Sequence, residues 1–481
     1  MNNDLEEVMN YFKEICKIPH GSKNEKRLSD WICKLAENKG LEVKQDELWN
    51  IIVHKKASYG LENSEAIIFQ AHLDMVCEKL KSSNHDFEKD PIDIVEYLEN
   101  CKKYLRANNT TLGADDGIGV AILLMMMLND NIKMPECYFI FTTQEEIGMY
   151  GANYIDLSNI NAKYLINLDS EEEDVATVGC AGGLNLIFTK EDNQYMSHSQ
   201  VFELEISGLK GGHSGVDIDK GRINSNYLSA LILDCIEDVQ ISSMYGGTKD
   251  NVICYSTNVL FSTNTMKEEI ESIINKVIDN IEVTDDDRDL KISVKAIDKE
   301  LMVYPNKTSK EIIELILGLK QNVIDMSTKM NNIVESSGNV GIVAVDENRI
   351  IVNESLRSSV EEKKYEYARY NKKIAEKLGF TCKEEGEYPG WDINTNSLLQ
   401  KIYRDSYKNT HNGMEPKIVS IHAGLECGIF AKKNNMLDMI SIGPNLYDVH
   451  TPNERLDVDS VKRLLSTLFE MIEKILWRSQ K

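Results

Sequence analysis

The chain reads as an α/β protein: a mixed central sheet flanked by helices, with a second, α+β unit inserted into it. Three features point there. Strand-length apolar runs alternate with helical patterns up to about Gly182, and that texture returns after Pro389-Gly390-Trp391. The stretch between them alternates like half-exposed strands, as in Val201-Phe202-Glu203-Leu204-Glu205-Ile206. Finally, 481 residues exceed what one hydrophobic core usually organises, so two domains are expected.

From Leu5 to Lys39 the apolar spacing is helical (Leu5, Val8, Met9, Phe12, Ile15, then Leu28, Trp31, Ile32, Leu35), and Ser22 is placed to cap the second of two amphipathic helices. Ile51-Ile52-Val53 and Ala66-Ile67-Ile68-Phe69 come next as strands, the latter ending just before His72 and Asp74. Cys77 to Thr110 is polar and reads as a long surface excursion. Ile118 to Leu128 is apolar enough for a buried helix, and Tyr138–Phe141 and Tyr164–Ile166 are buried strands ending near Gln144 and Asp169. The middle segment adds helices near Asn224–Asp238 and Lys310–Leu319. The last segment has a helix at Ser397–Tyr407, strands at Lys417–Ile421 and Met439–Ile442, and a final helix at Val461–Trp477. His450 lies there, so the outer segments fold together. Residues 1–184 and 393–481 form one discontinuous domain and 185–392 the insertion.

Composition narrows the function. A formal charge of -24 without a basic cluster excludes a nucleic-acid partner. No run of about 18 apolar residues predicts a membrane span, and the N-terminal sequence lacks a signal-peptide pattern, so no membrane partner and a cytoplasmic location are expected. Acidic runs such as Glu171–Asp174 and Asp285–Asp287 read as solvated faces. Ten cysteines without a Cys-x-x-Cys pair read as reduced thiols; Cys180, near the acidic segments, has no flanking histidine to make it a nucleophile.

The chemistry is carried by His72-Leu73-Asp74, Gly113-Ala114-Asp115-Asp116-Gly117, Gln144-Glu145-Glu146, Asn167-Leu168-Asp169 and His450. In an α/β sheet, groups at the carboxyl ends of strands converge on one crevice. Alone, Glu145-Glu146 reads as a solvated pair and Asp115-Asp116 as a helix cap. Together the segments suit a two-metal hydrolytic site. Two cations repel in a low-dielectric pocket and need a bridging anion. Asp115 is the natural bridge, because Gly113-Ala114 permits close approach and a helix N-terminus comes directly after it. His72 and Asp169 complete one shell, and His450 and Glu146 the other. This His and carboxylate set suits two zinc ions, with cobalt or manganese acceptable. Two divalent ions carry four positive charges against three on Asp115, Glu146 and Asp169, which leaves one to hold a bridging hydroxide. Glu145 remains as the general base that takes the proton of the metal-bound water, leaving the hydroxide, and passes it to the leaving amine. Asp74 is placed to accept the other N–H of the His72 imidazole.

Over essentially the whole chain these segments resemble the dinuclear zinc M20 metallopeptidase family. The residues that carry the resemblance are Ala71–Val76, Thr111–Gly119, Thr142–Gly148, Leu168–Glu171, Gly211-Gly212-His213-Ser214-Gly215 and Ile421-His422-Ala423-Gly424-Leu425-Glu426-Cys427-Gly428. The last two motifs, with Asp438–Pro444 before His450, are most similar to its aminoacyl-histidine dipeptidase branch. The resemblance implies hydrolysis of unblocked dipeptides, carnosine-like ones included. It implies that the insertion is a lid carrying substrate contacts and homodimer contacts, and that a cis peptide follows Asp115. It further implies that His213 polarises the scissile carbonyl, in some members from across the dimer, and that Asn251 and Arg357 hold the substrate's backbone and carboxylate. A guanidinium grips a carboxylate through two parallel hydrogen bonds, which fits Arg357 as well as a surface salt bridge would. Lys249-Asp250-Asn251-Val252-Ile253-Cys254 departs from the pattern of that branch, which bears on substrate preference. The competing readings are a tripeptidase or N-acyl amino acid hydrolase with the same chemistry, and a metal-free binding module.

Overall fold

In the computed structural model, residues 2–347 and 349–479 are described. The chain divides into two compact units: Met1–Gly179 with Ile393–Ser420 and Leu425–Lys481, and Cys180–Asp392 with Ile421–Gly424. The short Ile421–Gly424 stretch groups with the second unit although its neighbours on both sides belong to the first.

The first unit is built on an eight-stranded mixed sheet. Its strands are β1 (Glu42–Gln45), β2 (Ile51–Lys55), β3 (Ile67–His72), β4 (Cys137–Thr142), β5 (Tyr164–Asn167), β6 (Val175–Cys180), β7 (Lys417–Ile421) and β8 (Asp438–Ser441). The spatial order is β1-β2-β4-β3-β5-β8-β6-β7. β4, β3, β5 and β8 run parallel, with Phe69 opposite Phe139 and Ile166, and Ile440 beside Ile166. β1 pairs antiparallel with β2, and β2 antiparallel with β4. The parallel core is buried on both faces, which explains its unbroken apolar runs: every residue of β3 and of β5 is buried. Because β3, β4 and β5 point the same way, His72, the Gln144–Glu146 segment and Asp169 leave the sheet along one edge.

The helices obey the same patterning. The Ala114–Leu128 helix is apolar all round and is buried from Asp116 to Met127. At Gly117 an added Cβ would sit 3.3 Å from the Phe12 ring, so the Asn2–Ile15 helix crosses it closely there. The Val458–Ser479 helix buries Val461, Leu464, Leu465, Leu468, Met471, Ile472 and Ile475, a stripe at helical spacing. Among the described residues no helix is long and apolar enough to cross a membrane.

Three local expectations change. The polar Cys77–Thr110 stretch is no plain excursion: Ile94–Glu99 and Lys102–Ala107 pair as a hairpin, and the second of these strands also pairs with Arg455–Asp457. One face of that small sheet is open to water, so its sequence stays polar. Ser22 does not cap the Lys26–Asn38 helix. The cap position is Glu25, and the Ser22 hydroxyl instead donates to Asp74 Oδ2 at 2.7 Å. Among the described residues no cysteine forms a disulfide, and while Cys180 is buried, Cys77, Cys101 and Cys235 are exposed.

The second unit is an antiparallel sheet of nine strands, among them Gly182–Lys190, Gln200–Ser207, Val334–Asp346 and Arg349–Ser358. Helices Ser225–Asp234, Asn306–Gly318 and Glu361–Lys377 contribute Leu228, Ile232, Ile312, Ile316, Ala368 and Ala375 to a core with Phe188, Phe202, Leu204 and Phe261. One-sided burial gives these strands their alternation, as in the Gln200–Ser207 pattern of buried and half-buried residues.

Candidate metal centre

At the end of β3 the His72 ring is 1% exposed and its two nitrogens have separate partners. Nε2 stands 3.2 Å from Asp115 Oδ1 and 3.3 Å from Asp169 Oδ1. Nδ1 stands 3.0 Å from the backbone carbonyl of Asp74, whereas the Asp74 carboxylate lies 3.7 Å away. The tautomer is thus set by a carbonyl rather than by the carboxylate anticipated for it. Asp74 Oδ1 instead accepts the Glu145 backbone N–H at 2.9 Å, and Oδ2 accepts those of Glu146 at 3.2 Å and the Ser22 hydroxyl at 2.7 Å. One buried carboxylate therefore shapes the loop that carries both glutamates.

The other half of the cluster forms around His450. Its Nε2 is 3.0 Å from Asp115 Oδ2 and 3.0 Å from Glu146 Oε1. Asp115 thus turns one oxygen toward His72 and the other toward His450. The Asp115-Asp116 peptide bond is cis. Donor atoms of Asp115, Glu146 and His450 lie within 4.8 Å of one another, as do those of His72, Glu145 and Glu146, and those of His72, Asp116 and Asp169. Asp116 is committed elsewhere: its Oδ2 accepts the His72 backbone N–H at 3.1 Å, and an added Cβ on Gly119 would sit 2.1 Å from its Oδ1. It acts as a buried brace between β3 and the following helix, where its sequence context suggests only a helix cap.

The electrostatics show what this pocket accommodates. Hydrogen bonds accepted by the Asp115 and Glu146 carboxylates raise His450 to about 11. Burial disfavours charge on His72, yet Asp169, Asp115 and Asp74 together raise it well above its ordinary value. Burial likewise pushes the Asp115 carboxyl up, but His450 and His72 outweigh it and hold the group below the usual range. Burial, opposed by His72, moves Asp169 up to about 6, and burial with Asp115 and Asp169 moves Glu171 up to about 7. Glu145 is raised well above its ordinary value, first by burial and then, against His72, by Asp169, Glu426 and Glu146. So many carboxylates around two imidazoles favour bound positive charge, and this donor set fits divalent cations.

Two supports carry no clear mark in the sequence. Glu454 accepts backbone N–H groups from Leu112 (2.7 Å), Gly113 (3.0 Å), Ala114 (2.7 Å) and, more weakly, Asp115 (3.4 Å). Beneath this cluster, Glu426 Oε2 accepts from Gln70 Nε2 at 2.6 Å and Thr142 Oγ1 at 2.7 Å, while Asn167 Nδ2 donates to Gln70 Oε1 at 2.6 Å. This ties β3, β4 and β5 together within a few residues of His72, Glu146 and Asp169. Glu454, four residues past His450, offers a spacing signal; Glu426 offers none outside its motif.

The remaining predicted residues belong to the second unit. His213 Nδ1 accepts backbone N–H groups from Gly215 and Val216, each at 3.1 Å, so the proton resides on Nε2, which is left as a donor. Burial, then the nearby Arg357, lowers its pKa and keeps the ring neutral. Gly212 at φ 142 leaves room for Arg222 and Asp217, which an added Cβ would strike at 2.1 and 2.6 Å. Arg357 is 8% exposed, donates Nη1 to the Tyr388 hydroxyl at 2.7 Å, and has no carboxylate partner among the described residues, so it is no surface salt bridge. Its Nε is buried without a partner. Asn251 is exposed, and its carbonyl accepts the Ser214 N–H at 2.9 Å. His422 Nε2 is 2.7 Å from Ser337 Oγ.

Comparison with known proteins adds a second line of evidence. A family model described as peptidase family M20/M25/M40 matches residues 68–474. The cytosol non-specific dipeptidase of Escherichia coli is 33% identical over 477 residues, 96% of each chain. The crystal structure of aminoacylhistidine dipeptidase from Vibrio alginolyticus superposes with a TM-score of 0.90 at 31% identity, covering 97% of this chain and 96% of that one. The aminopeptidase PepT structure from Bacillus cereus shares the fold, with a TM-score of 0.56 at 16% identity and 98% coverage of both chains.

Proposed function

The chain belongs to peptidase family M20/M25/M40, and from that premise we propose that it is a metal-dependent dipeptidase of the cytosol. Its substrates are unblocked dipeptides, aminoacyl-histidine (carnosine-like) ones among them. The observation that carries this reading is Asp115, whose two oxygens face His72 and His450 at 3.2 and 3.0 Å. The dipeptidase names of two relatives that match nearly the whole chain, one of them cytosolic, support the substrate class and the location.

His72 with Asp169, His450 with Glu146, and Asp115 shared between the pairs would hold two divalent cations; zinc is the first choice, with cobalt or manganese as alternatives. When bound, the cations lower the pKa of a water and polarise a carbonyl oxygen. Glu145 takes the proton of the attacking water on its carboxylate and delivers it to the leaving amine, a transfer suited to a carboxyl whose burial raises its proton affinity. Asp74, through the Glu145 and Glu146 N–H groups, keeps that base and the neighbouring ligand in register. His213 donates its Nε2–H to the substrate carbonyl oxygen, Arg357 grips the terminal carboxylate with the N–H groups it has to spare, and Asn251 holds the peptide backbone. The insertion, residues 185–392, is the substrate-binding lid and homodimerisation domain of this scheme.

A panel of dipeptides, tripeptides and N-acyl amino acids, assayed on zinc-, manganese- and cobalt-loaded protein, tests the reading. Cleavage of dipeptides that depends on a free α-amine is expected. Preference for tripeptides or N-acyl amino acids would replace it with those activities, and absence of turnover with every metal would leave a binding module.

A further inference from the structure

The two halves of the metal cluster are held by different kinds of support. His72 ends β3, and Asp169 lies two residues past β5, where Gln70 and Asn167 are paired in the parallel ladder. His450 instead sits in an irregular loop. Its side chain is 47% exposed, and among the described residues its ring nitrogen Nε2 meets Asp115 and Glu146. Asp448 and His450 have φ values of 53° and 62°, left-handed conformations that such residues adopt only where the surroundings enforce them. Within the loop, Thr451 Oγ1 donates to the Asp448 carbonyl at 2.7 Å and accepts the Asn453 N–H at 3.1 Å.

The anchor to the bridging aspartate comes from Glu454, which is 2% exposed. Its Oε2 collects the Leu112 and Gly113 N–H groups and its Oε1 those of Ala114 and Asp115. Gly113 at φ 71° turns these successive N–H groups to one side, a concave backbone cradle for an anion. A single carboxylate thus joins the segment bearing Asp115 to the segment bearing His450, 335 residues apart.

We propose that Glu454 is a positioning residue that fastens the His450 loop to the Asp115 loop and so sets the affinity of the cation held by Asp115, Glu146 and His450, with little effect on the His72/Asp169 side. This rests on the metal-dependent reading above. A glutamine keeps the size but cannot serve both N–H pairs, since its amide nitrogen would face one of them. An aspartate keeps the charge but is one methylene short of reaching both pairs.

The test is titration of metal-stripped protein with Zn²⁺ by calorimetry, together with the melting temperature of the stripped protein. Wild type is expected to take up two Zn²⁺. Glu454→Gln is expected to weaken one site by about 10–100-fold, the range seen for groups that orient ligands, with the other site within about threefold and the stripped melting temperature nearly unchanged. Glu454→Asp should show the same selective loss to a smaller degree, and it decides the matter if the glutamine variant folds poorly. Two sites of wild-type affinity in the variants overturn the proposal. So does equal weakening of both sites with a fall in the stripped melting temperature, the signature of a merely structural role. A wild-type protein that takes up fewer than two Zn²⁺ overturns the metal reading itself, and the inference with it, which separates the two failures.

Discussion

Replacing Asp74 with asparagine tests how the glutamate loop is held. The carboxylate is 1% exposed and accepts three hydrogen bonds, from the Glu145 N–H at 2.9 Å, the Glu146 N–H at 3.2 Å and the Ser22 hydroxyl at 2.7 Å. Asparagine keeps only one acceptor oxygen. If that oxygen takes the Oδ2 position, its NH₂ confronts the Glu145 N–H; if it takes the Oδ1 position, the Glu146 N–H is abandoned. Either way a buried backbone donor loses its partner, at about 1–3 kcal/mol, and the surviving bonds lose the assistance of a full charge. The sum is about 2–4 kcal/mol of stability. Because the strained donor belongs to the proposed base or to the proposed ligand beside it, turnover should fall by about 100-fold, the scale expected for a displacement near 1 Å. Ser22→Ala removes a donor that has solvent as an alternative and should cost about 1 kcal/mol, with turnover within about threefold of wild type. Urea unfolding and dipeptide hydrolysis at saturating metal measure both quantities. Asp74→Asn turnover within about threefold of wild type, or an equal loss in Ser22→Ala, would refute the assignment of Asp74 to the glutamate loop.

The same geometry sets other expectations. Glu145→Gln should lower kcat by about 10²–10⁴-fold while metal content, measured by elemental analysis, stays at the wild-type value; retained turnover would place the base elsewhere. Arg357→Met should lower kcat/KM at least about tenfold for dipeptides with a free carboxylate and much less for their C-terminal amides, a contrast that steady-state kinetics on the two series reads directly. In the second unit Glu354 is fully buried with Asn371 Nδ2 at 2.8 and 2.7 Å, and burial raises its carboxyl from 4.5 to about 8 against that hydrogen bond. A folded value above the unfolded one means that the contribution of the neutral acid to stability is complete below about pH 4.5 and is lost as pH rises to about 8. Relative to wild type, Glu354→Gln should therefore gain stability across that window, by roughly 3 kcal/mol after discounting for relaxation; a constant difference in urea midpoints from about pH 5 to about pH 8 would contradict it.

Much of this architecture is legible in the sequence because the parallel strands are buried on both faces. Ile67–Phe69, Tyr138–Phe141 and Tyr164–Ile166 stand out as apolar runs, and the polar residues just past each run are held at one edge of the sheet. Hence His72, Glu145, Glu146 and Asp169 can be placed at a common edge, and His450 joined to them by its histidine-carboxylate chemistry. The hairpin at Ile94–Ala107 is not legible, since an open, solvated sheet leaves no continuous apolar signal. The roles of Asp74 and Glu454 are hidden for another reason. Their partners are backbone N–H groups, which every residue but proline carries and which no side-chain pattern reveals. The same holds for His213: the glycines around it advertise an exposed loop, but only the two N–H groups on Nδ1 show which nitrogen is left to donate.

The central claim is that one carboxylate, Asp115, is shared by two cations. Anomalous diffraction from crystals of the zinc-loaded protein measures this directly. The account predicts two peaks about 3.5–4 Å apart, with Asp115 between them, His72 and Asp169 on one and His450 and Glu146 on the other. A single peak, or two peaks with Asp115 bound to only one, would contradict it.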